Sequence, residues 1–453
     1  MAPRRRGRRA AAVVCVLAAL PLAALAGCTG SAPKPAAVAA KPVAAVKAAA
    51  ALKAAAPAGL QFAPQASAAS GPPAATIAKF RWSALAGSPL GYRNGPLLAW
   101  ANGQLLEVGG FAKNSTGKSA AAAAFDPAAG RWRRIASAPA GASLADGPSS
   151  AVWTGRFLAV VSGDAQMCPP PQAAAGRCWT GAALYDPTAN RWAVLALPAQ
   201  FGGLSMAGVV WTGRDLIAAA VSPLSASNPN GARLALAAYA PTTRRWRLIT
   251  PALPRGHSPG ELYLVYDDSR LVLTSLWQHA TQTTGGLEGT WGVDILTMNA
   301  QGTWRNVTST WPSGIVYGTI ATSDGILVTP GPFWCGDLCN PPDANSPYGY
   351  LDNPVTLTAK RFPTGPLGEL DPGFLAWVWA GDAIITASTV PAPDGSPGHY
   401  ILSGDMALYD PAARRWSDLP ATPGHPAMVS SPVWTGTALL TLTTAGTLFA
   451  FHR

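Results

Sequence analysis

Short apolar runs, separated by Gly, Asn, Asp and Pro, follow one another from about residue 80 to the C-terminus. Runs of this length and punctuation predict β-strands joined by turns, because amphipathic helices would need a period of 3.6 residues over longer stretches. Clear examples are residues 157–161, 216–221 and 438–443. The pattern therefore predicts an all-β domain.

One nine-residue pattern recurs in this region and joins two of the predicted strands. An aromatic residue and Asp-Pro end one strand, and Arg-Trp begins the next. Asp in the first turn position accepts main-chain hydrogen bonds, and Pro fixes φ beside it. The clearest copy is Leu408-Tyr-Asp-Pro-Ala-Ala-Arg-Arg-Trp416, and drifted copies begin at Ala124, Leu184 and Ala238. Self-similarity at this spacing predicts a repeat architecture.

Two markers divide the domain into repeating units of four strands, named a to d. Strand d starts at an aromatic residue that recurs every 50 to 60 residues. An aromatic residue before a tight turn marks the end of strand a. The first series is Trp82, Trp132, Trp192, Trp246, Trp304, Phe362 and Trp416, and the second is Trp100, Trp153, Trp211, Tyr266, Ala321 (a degenerate copy), Trp379 and Trp434. A four-stranded unit of this kind is a propeller blade.

The two ends of the domain predict how the ring closes. After Trp434 the chain has room for strands a, b and c only. The missing strand d stands at the start of the domain, where residues 80–85 match residues 415–419. Six continuous blades and a seventh shared between the ends are therefore expected, which leaves no open sheet edge. Six or eight blades are the alternatives if the weak fifth repeat is misread.

The first blade carries a further mark, Gly109-Gly110 at the end of strand b, followed by Phe125-Asp126 and Trp132. This arrangement resembles the kelch repeat, although later blades keep only Ser162-Gly163 or no glycine pair. Residues 79–453 as a whole resemble a kelch-type propeller, like the central domain of galactose oxidase. The resemblance implies an all-β, seven-bladed β-propeller of four-stranded blades.

The N-terminal segment differs sharply from the repeats. Residues 1–27 contain a basic stretch and then an apolar run, which is the pattern of a secretory signal peptide. Leu25-Ala26-Gly27-Cys28 resembles the bacterial lipobox, which implies cleavage before Cys28 and lipid attachment to its thiol. The protein is then expected to be exported and lipid-anchored to the outer face of the bacterial cell membrane. Ordinary cleavage or an uncleaved anchor is the alternative, and Arg8-Arg9 leaves the export route open.

Composition and charge also distinguish the N-terminal residues from the propeller. Residues 28–78 are rich in Ala, Pro and Lys, lack acidic residues, and predict a flexible tether. Nine basic residues before position 54 account for most of the net charge of +11, which leaves +2 for the rest of the chain. The propeller therefore lacks the basic excess of a nucleic-acid-binding surface.

The predicted b–c connections are long and unlike one another, in contrast to the repeated a–b and c–d turns. Variable loops on a rigid scaffold commonly carry function, so the face with the b–c and d–a connections is the expected binding face. Its aromatic residues suit stacking on sugars or anchoring of a protein partner, or else pack against the loops themselves. The loops are 164–180, 222–233, 278–291, 329–350 and 390–404, and the candidate binding residues are Trp179, Trp277, Trp291, Trp334, Tyr348, His257, His279, His425 and Glu261.

Four cysteines fall in two of these loops. In an exported chain, Cys168 with Cys178 and Cys335 with Cys339 are interpreted as two local disulfides. A metal site at Cys335 and Cys339 is the alternative, but no histidine stands near them in sequence to complete four ligands. No metal and no cofactor are predicted.

The sequence contains no nucleophile elbow, phosphate loop or dinucleotide fingerprint, so no catalytic residue is assigned. The leading hypothesis is a cell-envelope lipoprotein whose propeller binds a protein partner or a glycan. The alternative is a secreted carbohydrate-active enzyme, such as an oxidase, lyase or epimerase, with a histidine and a carboxylate as acid and base. A third interpretation is a scaffold in an envelope assembly.

Overall fold

The fold is taken from a computed structural model that describes most of the domain predicted from the repeats. The predicted signal peptide and tether, with Cys28, lie outside the described residues. The described ranges are 81–113, 119–139, 150–163, 181–222, 233–254, 257–267, 270–283, 286–306, 315–322, 325–331, 349–353, 358–362, 375–391, 400–420, 422–423 and 432–452.

The described strands form an all-β propeller of four-stranded antiparallel blades, as predicted. Six blades are built from four strands in chain order. In the first three, apolar strands b and c are buried because other strands flank them on both edges and neighbouring blades cover both faces. The first blade has β3 (Leu97–Ala101), β4 (Gln104–Val108), β6 (Ala122–Asp126) and β7 (Arg131–Ile135); the second has β8 (Ser150–Trp153), β9 (Leu158–Ser162), β10 (Gly181–Asp186) and β11 (Arg191–Leu195); the third has β12 (Ser205–Trp211), β13 (Leu216–Val221), β14 (Leu234–Ala240) and β15 (Arg245–Ile249).

The next three blades repeat this order with longer strands b and c in places. The fourth has β16 (Ser258–Tyr266), β17 (Leu271–Thr283), β18 (Gly286–Met298) and β19 (Trp304–Asn306); the fifth has β20 (Ile315–Thr322), β21 (Gly325–Gly331), β22 (Gly349–Asn353) and β23 (Thr358–Phe362); the sixth has β24 (Leu375–Trp379), β25 (Ile384–Pro391), β26 (Tyr400–Asp410) and β27 (Arg415–Leu419). A two-stranded sheet of β2 (Arg93–Asn94) and β5 (Phe111–Ala112) and a 3₁₀ turn at Ala199–Phe201 complete the described elements.

A further four-stranded sheet, called the closing sheet, joins the two ends of the domain. It consists of β1 (Arg81–Ala84), β28 (Val433–Trp434), β29 (Ala438–Leu442) and β30 (Leu448–His452). Trp82 in β1 pairs with Phe451 in β30, so the predicted pairing of the first strand with the last is confirmed. The first strands of neighbouring sheets contact one another in the order β3, β8, β12, β16, β20, β24, β28 and back to β3. The ring is therefore closed.

The repeated turns owe their shape to two side-chain caps. Oδ1 of Asp186 accepts hydrogen bonds from the main-chain N–H groups of Thr188 and Ala189, at 2.9 and 3.0 Å. In the a–b turn, Thr154 Oγ1 donates to the Phe157 carbonyl oxygen and accepts from the Phe157 N–H. These local bonds explain why Asp-Pro and Trp-Thr-Gly recur in the sequence.

Three of the repeated tryptophans connect their sheet to the segment that leaves the preceding one. The indole N–H of Trp192 donates to the Ala136 carbonyl oxygen at 2.8 Å, and that of Trp132 donates to Ala86 at 2.7 Å. Trp82 makes the corresponding bond to Pro420, at 2.6 Å. The rings also stack on strand-c aromatics, with 5.0 Å between the centroids of Trp192 and Tyr185. At these positions the repeated tryptophans therefore join neighbouring blades.

The fifth blade departs from the predicted pattern at Phe362. This residue was expected to begin strand d, but it ends β23 and pairs with Gly349. In the second blade, by contrast, Trp192 pairs with Tyr185, next to the c–d turn. The reason is the strand register: Asn353 pairs with Thr358, so strand d starts four residues before Phe362.

Candidate functional site

The predicted binding residues were assigned to the face that carries the b–c and d–a connections, called the loop face. Only His257 has a described side chain. Glu261, Trp277, His279 and Trp291 are described as backbone in strands. Trp179, Trp334, Tyr348, His425, Cys168, Cys178, Cys335 and Cys339 lie outside the described residues, so their predicted roles and the two disulfides stay predictions.

The largest correction concerns residues 278–291, which were predicted to form a loop. They continue β17 and β18 as a paired hairpin, in which Gln278 lies opposite Trp291 and Thr283 lies opposite Gly286. Strand β16 ends its pairing at Gln278, so residues 279–283 and 286–290 extend beyond the four-stranded sheet as a two-stranded ribbon. This segment is called the ribbon below. Polar and glycine-containing sequence suggested a loop, whereas the cross-strand main-chain pairing continues to its tip.

The predicted loop at residues 390–404 is corrected in the same way. Val390 and Pro391 pair with Ile401 and Tyr400, so β25 and β26 extend further than expected. Only residues 392–399 separate the two strands. One of the five predicted loops, 278–291, is thus largely a paired hairpin, and a second, 390–404, is shortened to residues 392–399.

His257 lies at the base of the ribbon's blade, in the segment that precedes β16. Its Nδ1 donates a hydrogen bond to Oδ2 of Asp294 at 2.7 Å. Asp294 is buried in β18, whereas His257 has 28 % of its side chain exposed. Burial raises the pKa of Asp294, while the hydrogen bond and the charge of His257 lower it. The pair holds the imidazole in one orientation, which suits acid–base chemistry and also fastens the d–a connection to strand c.

Sequence reasoning placed a histidine and a carboxylate on this face but did not find Asp294. The residue stands inside the apolar stretch Val293-Asp-Ile-Leu296, whose pattern is that of an ordinary buried strand. A lone carboxylate in a buried strand requires a hydrogen-bonding or charged partner. The isolated Asp in an apolar stretch was therefore the sequence signal that could have identified this position. The partner lies 37 residues away in sequence, so no spacing rule points to it.

A second buried carboxylate, Glu107, was not identified from the sequence either. It lies in β4, is fully buried, and accepts a hydrogen bond through Oε2 from Ser88 Oγ. Its Oε1 and the Nε of nearby Arg93 have no hydrogen-bond partner among the described residues. Burial raises the pKa of Glu107 to about 7, although Ser88 and the charge of Arg93 act in the opposite direction. The carboxyl links the connection entering the first blade to that blade's strand b.

The described residues also bear on metal sites and on membrane-spanning helices. They contain no group of three or more His, Cys, Asp or Glu side chains that could hold a metal ion. Within the same ranges, no helix is long and apolar enough to cross a membrane.

Comparison with known proteins adds a weak structural likeness. No protein-family model matches the chain, and no curated protein matches it. A solved structure titled "Structure of YjhT" is similar with a TM-score of 0.41 and 12 % identity, over 81 % of this chain and 95 % of that chain. A likeness at this level carries no argument about function.

Proposed function

We propose that the protein is an exported, lipid-anchored binding module built on a kelch-type seven-bladed propeller, in which the closing sheet is the seventh blade. Its partner is a protein that docks on the loop face. The observation that carries this proposal is the ribbon, which extends past its sheet on the face where the connections are least alike. A glycan ligand on the same face is the other outcome that the test below distinguishes.

The ribbon favours a protein partner because of its backbone. Among the described residues, no third strand pairs with residues 279–283 or 286–290. A strand edge offers main-chain N–H and C=O groups at regular spacing, and an extended segment of another chain can add to it as a further strand. Main-chain pairing then supplies affinity, and residues of the ribbon such as His279 and Glu288 supply specificity.

Shortening the ribbon tests this proposal. Residues 279–290 are replaced by Asn-Gly, which joins Gln278 to Trp291 through a two-residue hairpin turn in the existing register. We expect the protein partner, identified by photo-crosslinking from position 281 in the anchored chain, to bind the shortened chain about 100-fold more weakly or worse. The measurement is titration of the purified partner, with the thermal midpoint of each chain recorded in parallel.

Ala128→Lys is the matched control, because this exposed residue lies in a c–d turn at the opposite face. It should leave partner affinity unchanged. Equal affinity of the shortened and full-length chains for the partner would refute the ribbon as the docking element. Crosslinking to glycan instead of protein would assign the loop face to the glycan.

The lipid anchor has its own test at Cys28. We expect Cys28→Ala to abolish labelling by a radioactive fatty acid and to move the chain from the membrane fraction, because the thiol is the attachment point implied by the lipobox-like sequence. Cys15→Ala, inside the predicted signal peptide, is the control and should leave labelling intact. Unchanged membrane association of Cys28→Ala, with normal processing, would contradict the anchor.

The His257–Asp294 pair favours one other candidate, a secreted carbohydrate-active enzyme that uses His257 as acid or base. The hydrogen bond between the two side chains is the arrangement that such chemistry requires. Turnover of a sugar substrate by the natural chain, with loss of turnover and retained folding in His257→Asn, would move the protein from binding modules to enzymes.

A further inference from the structure

The face opposite the loop face contains a cleft between the second and third blades. Its volume is about 720 Å³, within the range of roughly 300–1,000 Å³ that ligand pockets occupy. The walls come from the turns and outer strands that repeat along the sequence, among them β11 and the c–d turn of the third blade. The repeated turns therefore line a cleft in addition to joining strands.

The cleft carries an excess of positive charge. Arg156, Arg191 and Arg244 line it and are exposed, and Asp186 is the single carboxylate among the lining residues. Asp186 already accepts two main-chain hydrogen bonds within its own turn. Among the described residues, no ion pair engages any of the three guanidinium groups, which leaves them able to pair with a ligand carboxylate.

Aromatic surface lies beside these arginines. Trp192 and Trp211 both line the cleft and are half-buried. The hydrogen bond from the Trp192 indole to Ala136 fixes the orientation of that ring. Val194, at 57 % exposure, adds apolar surface. Fixed aromatic faces next to guanidinium groups match a ligand that has both a flat apolar face and an anionic group.

Arg244 is an unusual residue type for its position in the c–d turn. Its φ is 55°, in the left-handed region, where the same position of the first two blades holds Gly130 and Asn190. Glycine and asparagine adopt this conformation at lower cost than arginine. Strained residues of this kind are found where the side chain has a role. Arg414 takes the same conformation in the sixth blade, at φ 52°, outside this cleft.

We propose that this cleft is a second binding site, specific for a carboxylated polysaccharide such as one that contains uronic acids. The guanidinium groups of Arg156, Arg191 and Arg244 pair with the carboxylates, and sugar rings pack on the exposed parts of Trp192 and Trp211. For a chain anchored at the outer face of a membrane, such a site attaches the propeller to surrounding acidic glycan. The loop face remains available for its own partner.

The test uses the processed full-length chain and oligosaccharides of α-1,4-linked galacturonic acid as the probe, with isothermal titration at low and moderate salt. A neutral galactose oligosaccharide of the same length and inorganic phosphate are the comparison ligands. We expect binding of the acidic oligosaccharide that weakens with added salt, and no binding of the neutral one. Arg156→Gln, Arg191→Gln and Arg244→Gly should each weaken binding by about tenfold or more.

The pair Arg244→Gly and Arg414→Gly separates binding from stability. Both substitutions put glycine at a left-handed position in equivalent turns, so both should leave the thermal midpoint unchanged or slightly raised. Only Arg244→Gly should weaken binding of the acidic oligosaccharide. Equal binding by these two variants, or equal binding of the acidic and neutral oligosaccharides, would overturn the proposal. Phosphate that binds as tightly and competes fully would also overturn it, since the cleft would then be a general anion site.

Discussion

Replacing Trp82 by alanine is expected to lower the free energy of unfolding by about 2–3 kcal/mol, which is below the range of about 3–5 kcal/mol for a fully buried aromatic residue because Trp82 is half-buried. Trp82 belongs to the strand that completes the closing sheet, and its ring lies 4.8 Å from Phe451 and 6.3 Å from Phe449, measured between centroids. Its indole N–H also donates to Pro420, which directly follows the sixth blade. The substitution removes both the contacts that hold the first strand and the bond to the neighbouring blade. Urea titration followed by tryptophan fluorescence measures the change.

Trp82→Phe separates the hydrogen bond from the ring packing, and Val194→Ala is the control. Trp82→Phe keeps an aromatic ring but loses the donor to Pro420, so it should cost less than alanine, with about 1 kcal/mol from the hydrogen bond. Val194→Ala changes an exposed residue of the second blade and should stay within about 0.5 kcal/mol of the natural chain. If Trp82→Ala is no more harmful than Val194→Ala, pairing of the two ends does not hold the ring together.

Replacing Glu107 by glutamine is expected to stabilise the protein above neutral pH and to have little effect at pH 5. Burial raises the pKa of this carboxyl from 4.5 to about 7, so the folded protein holds a proton that the unfolded chain releases. Its stabilising contribution is complete below about pH 4.5 and is lost as the pH rises through 7. At pH 9 the buried charge then costs up to about 3 kcal/mol, which glutamine avoids.

The measurement is the free energy of unfolding of both chains between pH 5 and pH 9. The difference between Glu107→Gln and the natural chain should grow from pH 5 to about pH 7 and level off above it, because Glu107 is then ionised in both the folded and the unfolded chain. Asp418→Asn is the control, because it removes an exposed carboxylate from β27 and should shift stability equally at all these pH values. A constant difference for Glu107→Gln across the range would show that Glu107 is ionised in the folded protein at pH 5.

The repeats could be predicted from the sequence because their chemistry is local. Asp126 and Asp186 cap turns two and three residues away, and each bond lies within its own nine-residue copy. Strand pairing at the ends could also be predicted, since β1 has the same sequence pattern as the other d strands. Local bonds and repeated patterns therefore carried the prediction of four-stranded blades and of their closure.

The site could be predicted only in outline, because its contacts join distant parts of the chain. Ser88 and Glu107 lie 19 residues apart, and His257 and Asp294 lie 37 apart, without any motif that relates them. The ribbon had one usable signal, Gly285-Gly286 between Thr-containing stretches, which is a recognised hairpin sequence. The cleft arises from side chains of two blades whose separation in space depends on the packing of the ring.

Hydrogen exchange of the purified chain, with and without the purified protein partner that crosslinking identifies, tests most directly the claim that this partner docks on the ribbon. If the partner adds a strand to the ribbon, the amides of residues 279–283 or 286–290 should become strongly protected on binding, because main-chain pairing removes them from water. The a–b and c–d turns should exchange at the same rate in both states. Protection confined to those turns, with the ribbon unchanged, would contradict the assignment of partner binding to the loop face.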